Sequence, residues 1–210
     1  MSDIVLSAGV RSNLLQLQQT SDLITQTQTR LATGKRVNSA LDNAINFFTA
    51  QGLDNRANDL SGLLDSMSNA INTIQAANNG LSAITKLVQS AQSLVSQARQ
   101  TSDTAAQNTL ATQFDALLVQ IGQLAGDSGF NGINLLNNNS LTVTLNETGT
   151  SSVTVTGVDF DSTGLAVDVA ANAWAADADI DAAADDLTAA LTTLRSQSQA
   201  FSTNLSTVQI

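Results

Sequence analysis

The sequence predicts a mainly α fold: long antiparallel helices forming a rod-like coiled-coil bundle, with a small β-hairpin insertion. Three observations predict it. Apolar residues recur at alternating steps of four and three along most of the chain, the spacing of a coiled-coil seam. Pro is absent from all 210 residues, so nothing forces a helix to kink or stop. Over "SLTVTLNETGTSSVTVTGVDF" the period changes to two, the spacing of a half-buried strand.

The first helical pattern covers residues 4–31, with Val10, Leu14, Leu17, Ile24 and Leu31 on one seam. Ser21 and Gln28 interrupt that seam, so this helix is expected to need a partner. "ATGKRV" follows. Gly34 is placed to end the helix in a left-handed conformation, with Lys35 and Arg36 near its negative end. Asn38 or Ser39 is then expected to start the next helix. Gly34-Lys35 also ends a phosphate-binding-loop pattern, but the rest of that pattern fails. Position 29 is Thr instead of Gly, position 36 is Arg instead of Ser or Thr, and a heptad precedes it instead of a buried strand. The segment reads as a joint between helices.

The second helix, expected over 57–100, carries the strongest seam: Leu60, Met67, Ile74, Leu81, Val88 and Val95, each seven apart. Companions stand at Leu64, Ile71 and the polar Asn78, then move to Ile84, Ala91 and Ala98, a sideways shift beyond Gly80. Such a helix would be roughly 65 Å long at 1.5 Å per residue. A third helix begins near Thr104 with Leu110, Phe114, Leu117, Ile121 and Leu124, and stops at "GDSGFNG". The hairpin alternates Leu141, Val143 and Leu145 with Val153 and Val155 around the turn "NETGTS", and a further short strand is expected near "GLAVDVA". The last helix starts near Ile180 and repeats the seam at Leu187, Leu191, Leu194, Ser198, Phe201, Leu205 and Val208.

Composition excludes most catalytic chemistry. The chain has no Cys and no His, which removes disulfides, thiolate metal sites, a Ser-His-Asp triad and a histidine zinc site. Its net charge of −10 argues against nucleic acid, whose phosphates call for clustered Lys and Arg. No apolar run reaches membrane-spanning length, so no membrane insertion is expected. "MSDIVLSAGVRSNLLQ" lacks the basic flank and apolar core of a signal peptide. Only 3% of residues are aromatic, so Ala, Leu, Val and Ile are expected to fill the core. The Asp-rich "DADIDAAADD" has calcium-loop spacing at its start, but Ala182 stands where Gly is needed and Thr188 where Glu is needed. Acidic residues in the first turn of a helix explain it better. Asn146-Glu147-Thr148 is a glycosylation sequon on a surface turn. Trp174, the single Trp, is expected to pack on a helix face. No carboxylate pair converges for acid–base work, so the chain is not expected to be an enzyme, and no cofactor or metal is expected.

"RLATGKRVNSALDNAINFFTAQGL" closely resembles the N-terminal signature of bacterial flagellins, and its flavour resembles the short alphaproteobacterial type. Arg30, Leu31, Thr33, Gly34, Arg36, Val37, Asn38, Ser39, Ala40, Asp42, Asn43 and Ala44 carry the match. "FNGINLL", residues 130–136, resembles the family's turn after its second internal helix. The resemblance implies a structural subunit of the flagellar filament that self-assembles for motility. It implies residues 1–38 as an inner-layer helix, 39–140 with 177–210 as a rod-like helical domain, and 141–176 as a small β-rich outer insertion. The joint then becomes a spoke contacting neighbouring subunits through Arg30, Gly34, Arg36, Asn38, Ser39, Asp42 and Asn43. Export through the flagellar type III apparatus, with a chaperone and cap or junction proteins as partners, is implied as well. So is a secreted, flagellar location. Family members end in a long helix that pairs with the first, and that helix is expected to follow "STVQI" and to be lacking here. Alternatives are a related hook–filament junction protein and an extracellular glycan-binding module; few aromatic residues count against the second.

Overall fold

A computed structural model describes residues 7–209. The start of the expected first helix and the final Ile210 lie outside the described residues. The elements in order are α1 (Ala8–Thr33), α2 (Ala44–Gln100), α3 (Thr104–Asp127), β1 (Leu141–Thr144), β2 (Ser152–Val155), a short 3-10 turn (Ala171–Trp174) and α4 (Asp177–Gln209). The fold is mainly α with one small antiparallel sheet. Two compact units form, residues 1–58 and 59–210, with α2 contributing to both. Among the described residues, no helix is long and apolar enough to cross a membrane.

In the unit 59–210, α3 and α4 both run antiparallel to α2. Residues 101–103 reverse the chain between α2 and α3. At the far end of α3, Ser128 comes against Gly80 of α2, where a Cβ would collide with the Ser128 side chain and with Leu136. Arg99 at the end of α2 pairs with Asp181 in the first turns of α4. At the other end of α4, Val208 shares a small apolar cluster with Ala70 of α2 and Val143 of β1.

The seam on α2 is straighter than the sequence pattern predicts. Two columns seven residues apart are buried side by side: Ile74, Leu81, Val88 and Val95, and Ala70, Ala77, Ile84, Ala91 and Ala98. No sideways shift occurs beyond Gly80. The second column is alanine except at Ile84. On α3 the buried face is likewise turned by one residue from the expected seam. Ala111, Leu118 and Ala125 are buried beside Phe114 and Ile121, whereas Leu110, Leu117 and Leu124 sit half-buried at the flanks. Close packing admits the methyl side chain at the point of nearest approach and moves the larger Leu outward.

Aromatic residues are few, yet they occupy the centre. Phe114, Phe160, Phe201 and Trp174 are all fully enclosed. Trp174 leans on Phe114 with ring centroids 5.0 Å apart, a favourable offset for two ring quadrupoles. The packing on a helix face expected of Trp174 is thus found on α3.

The hairpin pairs Leu141 with Val155 and Thr144 with Ser152. The strand expected near "GLAVDVA" does not form. Leu165 and Val167 do point into the core, as alternation predicts. Their backbone N–H groups, however, donate locally, to the Asp161 and Ser162 carbonyls. Ala166 between them has φ 54°. The stretch is a run of tight turns tied to α3 where the Ala170 N–H donates to the Asp115 carboxylate at 2.8 Å.

The "FNGINLL" segment has a clear mechanical role. Phe130 and Ile133 exchange two backbone hydrogen bonds around Asn131 (φ 48°) and Gly132 (φ 80°), the Asn-Gly pair favoured when both central residues are left-handed. The buried Asn134 amide then donates to the Ala125 and Gly126 carbonyls at 2.7 and 2.8 Å. A helix end leaves such carbonyls open; Asn134 closes two of them.

Candidate functional site: the joint before α2

The unit 1–58 contains α1, a ten-residue joint and the start of α2. Ser7 caps α1 by accepting from the Val10 N–H. The other end of α1 stops at Gly34, which adopts the left-handed conformation (φ 66°) expected of it. No residue of α1 is buried. Val10, Leu14, Leu17, Ile24 and Leu31 all stand exposed, Leu31 at 85%. The joint and the start of α2 behave alike, with Leu41 of the joint and Ile45, Phe48 and Leu53 of α2 exposed.

The second helix starts at neither Asn38 nor Ser39. It starts at Ala44, with the Asn43 side chain accepting from the Asn46 N–H at 3.0 Å. Residues 38–42 instead form a turn closed by one carboxylate. Asp42 Oδ2 accepts from the Asn38 and Ser39 N–H groups at 3.1 and 3.2 Å. Asp42 Oδ1 accepts from the Gln26 amide of α1 at 3.3 Å. The Asn38 amide donates to the Lys35 carbonyl, and Lys35 lies 3.8 Å from Asp54 of α2. The Asn38 N–H, then the Gln26 amide, outweigh the opposing effect of partial desolvation. With Ser39 and the nearby Arg30 charge, they hold the Asp42 carboxyl below the usual carboxylate range.

The structure therefore gathers Arg30, Gly34, Arg36, Asn38, Ser39, Asp42 and Asn43 around one turn. Arg30 and Arg36 border a shallow cleft with Asp42 and Asn43. On the other side, Asp42, Asn38 and Ser39 face Gln19, Asp22 and Gln26 of α1. Sequence reasoning did not single out Asp42 as the joint's common acceptor. The usable signal is an Asp three residues after Ser39, where its side chain reaches back to free N–H groups.

The seam residues take up different positions. Ile74, Leu81, Val88, Val95, Leu187, Leu194 and Phe201 are buried in the main core. Met67 is half-buried beside the Ala70–Val208 cluster. Leu60 departs from them at 46% exposed, because it lies beyond the Ala70–Val208 cluster, where cover from α4 ends. Among the described residues, no group of three or more acidic side chains converges as a metal site. Asp177 and Asp179 lie in the first turn of α4, where its dipole favours them.

Comparison with known proteins gives one consistent result. The family model described as the bacterial flagellin N-terminal helical region matches residues 8–141. Flagellin FljN of Caulobacter vibrioides is 33% identical over 167 residues, 78% of this chain and 61% of that protein. Flagellin FljM of the same organism is 32% identical over 136 residues, 64% of this chain and 50% of that protein. The chain thus spans about half to three fifths of these relatives' length. A crystal structure of Bacillus cereus flagellin superposes with a TM-score of 0.59 at 18% identity, covering 70% of this chain and 84% of that one. At that identity the likeness concerns the fold alone.

Proposed function

We propose, since this chain belongs to the bacterial flagellin family, that it is a structural subunit of the flagellar filament, outside the cell and without catalytic activity. The observation that carries the reading is the split between its two units. Residues 59–210 bury a complete core, while residues 7–58 form helices that leave their apolar seam uncovered. A self-sufficient unit joined to a partner-seeking one suits a subunit that packs against copies of itself. In this reading α1 joins the innermost layer, and Arg30, Gly34, Arg36, Asn38, Ser39, Asp42 and Asn43 form the spoke that meets neighbouring subunits. The helices of 59–210 form the rod layer, and residues 141–176 lie outward. An export chaperone and cap or junction proteins are its further partners.

The test is incorporation. Purified chain carrying a gold label is mixed with flagellin monomers and seeded with filament fragments, then viewed by electron microscopy. Label spaced along the new filament supports the proposal. Label confined to a ring at one end assigns the chain to the hook–filament junction instead. Label remaining in solution contradicts the proposal.

A further inference from the structure

The joint before α2 contains a device that the filament role does not require. α1 buries no side chain, so apolar packing within the unit does not fix the direction in which it leaves the joint. What reaches across from α1 is the Gln26 amide, and it ends on Asp42 Oδ1. The other oxygen of the same carboxylate holds the Asn38 and Ser39 N–H groups, which set the turn. One exposed carboxylate therefore ties the turn's backbone to the side of a helix. We propose that Asp42 is a clasp that fixes the direction of α1, and that protonating it releases α1 while leaving the helices formed.

The sign follows from which form the joint binds. All three donors are N–H groups aimed at carboxylate oxygens, and each bonds best to the charged form. The Arg30 charge adds to this, and the carboxyl is held low in consequence. The clasp is thus complete above the ordinary carboxylate range. It is lost as pH falls through that range and below it, through the lowered value of Asp42. The charged groups around it are Asp22 and Arg30 on α1, Lys35 and Arg36 in the turn, and Asp54 on α2, which neighbours Lys35. A variant with Asp22→Asn and Asp54→Asn leaves Asp42 the one carboxylate among them.

The chain has no Cys, so Gln18→Cys and Gln51→Cys, on exposed faces of α1 and α2, take spin labels as its sole thiols. Pulsed electron resonance on the full chain then reads the distance between α1 and the start of α2. A single narrow distribution is expected at neutral pH, widening about twofold in acid as the ensemble of α1 directions opens. Asp42→Asn and Gln26→Ala should each widen it at neutral pH, with helix content by circular dichroism unchanged. Asp42→Glu should restore part of the narrowing. The clasp is refuted if Asp42→Asn keeps the narrow distribution at neutral pH. It is equally refuted if the parent chain keeps it in acid once the Asp42 carboxyl signal by NMR has titrated. A chemical shift of the Gln26 amide that follows the Asp42 carboxyl supports it without any variant.

Discussion

Residues 7–58 and 59–209 are written in the same heptad pattern but have opposite fates. Every buried side chain lies in the second region, from Ala70 onward. The first region has comparable Leu and Ile spacing and buries none of it. Only the second carries three helices able to face one another. A seam states what a helix would bury; the chain must also supply the opposite face. Charge is divided in the same way. Residues 1–58 hold five of the eight basic residues, and 59–210 hold fourteen of the eighteen acidic ones.

Substitutions sharpen the contrast. Phe114 is fully enclosed beside Trp174, so Phe114→Ala should cost about 3–5 kcal/mol of stability in urea unfolding followed by circular dichroism. Leu17→Ala, at a position 68% exposed, should change the same transition by less than about 0.5 kcal/mol. A large effect of Leu17→Ala in the monomer would show that α1 is covered after all.

Glycine gives a second pair. Gly80→Ala places a methyl group on Ser128 and Leu136. The resulting overpacking of about 1–3 kcal/mol should outweigh the roughly 1 kcal/mol by which Ala favours a helix over Gly, so the midpoint falls. Gly62→Ala meets nothing within 4 Å. It should therefore keep the propensity gain and raise helix content slightly. If Gly80→Ala also raises stability, the close approach of α3 to α2 is looser than described.

The smallest effect is ionic. The surplus of carboxylates in 59–210 repels itself, and raising ionic strength to about 0.15 M shortens the screening length to roughly 8 Å. The unfolding midpoint of the chain should therefore rise modestly with salt. A falling midpoint would mean that ion pairs such as Arg99–Asp181 outweigh the repulsion.

Much of this fold was legible in the sequence, for identifiable reasons. The start of α3 at Thr104, the hairpin and the left-handed Gly34 each follow from local chemistry that the tertiary structure does not override. A helix start was expected at Asn38 or Ser39 and the seam helix only from 57, whereas one helix runs from Ala44 to Gln100. Its first turns contain Ile45, Phe48 and Leu53, whose exposed side chains form no seam with a partner in the chain. The buried faces of α2 and α3 were misjudged because hydrophobicity ranks Leu above Ala, whereas close helix packing selects Ala70, Ala77, Ala111 and Ala125. The expected strand at Leu165 and Val167 failed for a different reason: alternation reports which side chains point inward, not where backbone N–H groups go. In the joint, nothing in the sequence showed that Asp42 accepts from three of the donors around it.

Amide hydrogen exchange on the isolated chain at neutral pH tests the central contrast most directly. Amides of residues 74–98 should exchange slowest, at rates set by global unfolding of the unit 59–210, because both faces of their seam are packed. Amides of residues 12–33 in α1 should exchange many times faster, since their helix has no buried face and is held by its own hydrogen bonds, its caps and one exposed tie to Asp42. Equal protection in the two segments would contradict the account, because it would require a buried face on α1 within a single chain.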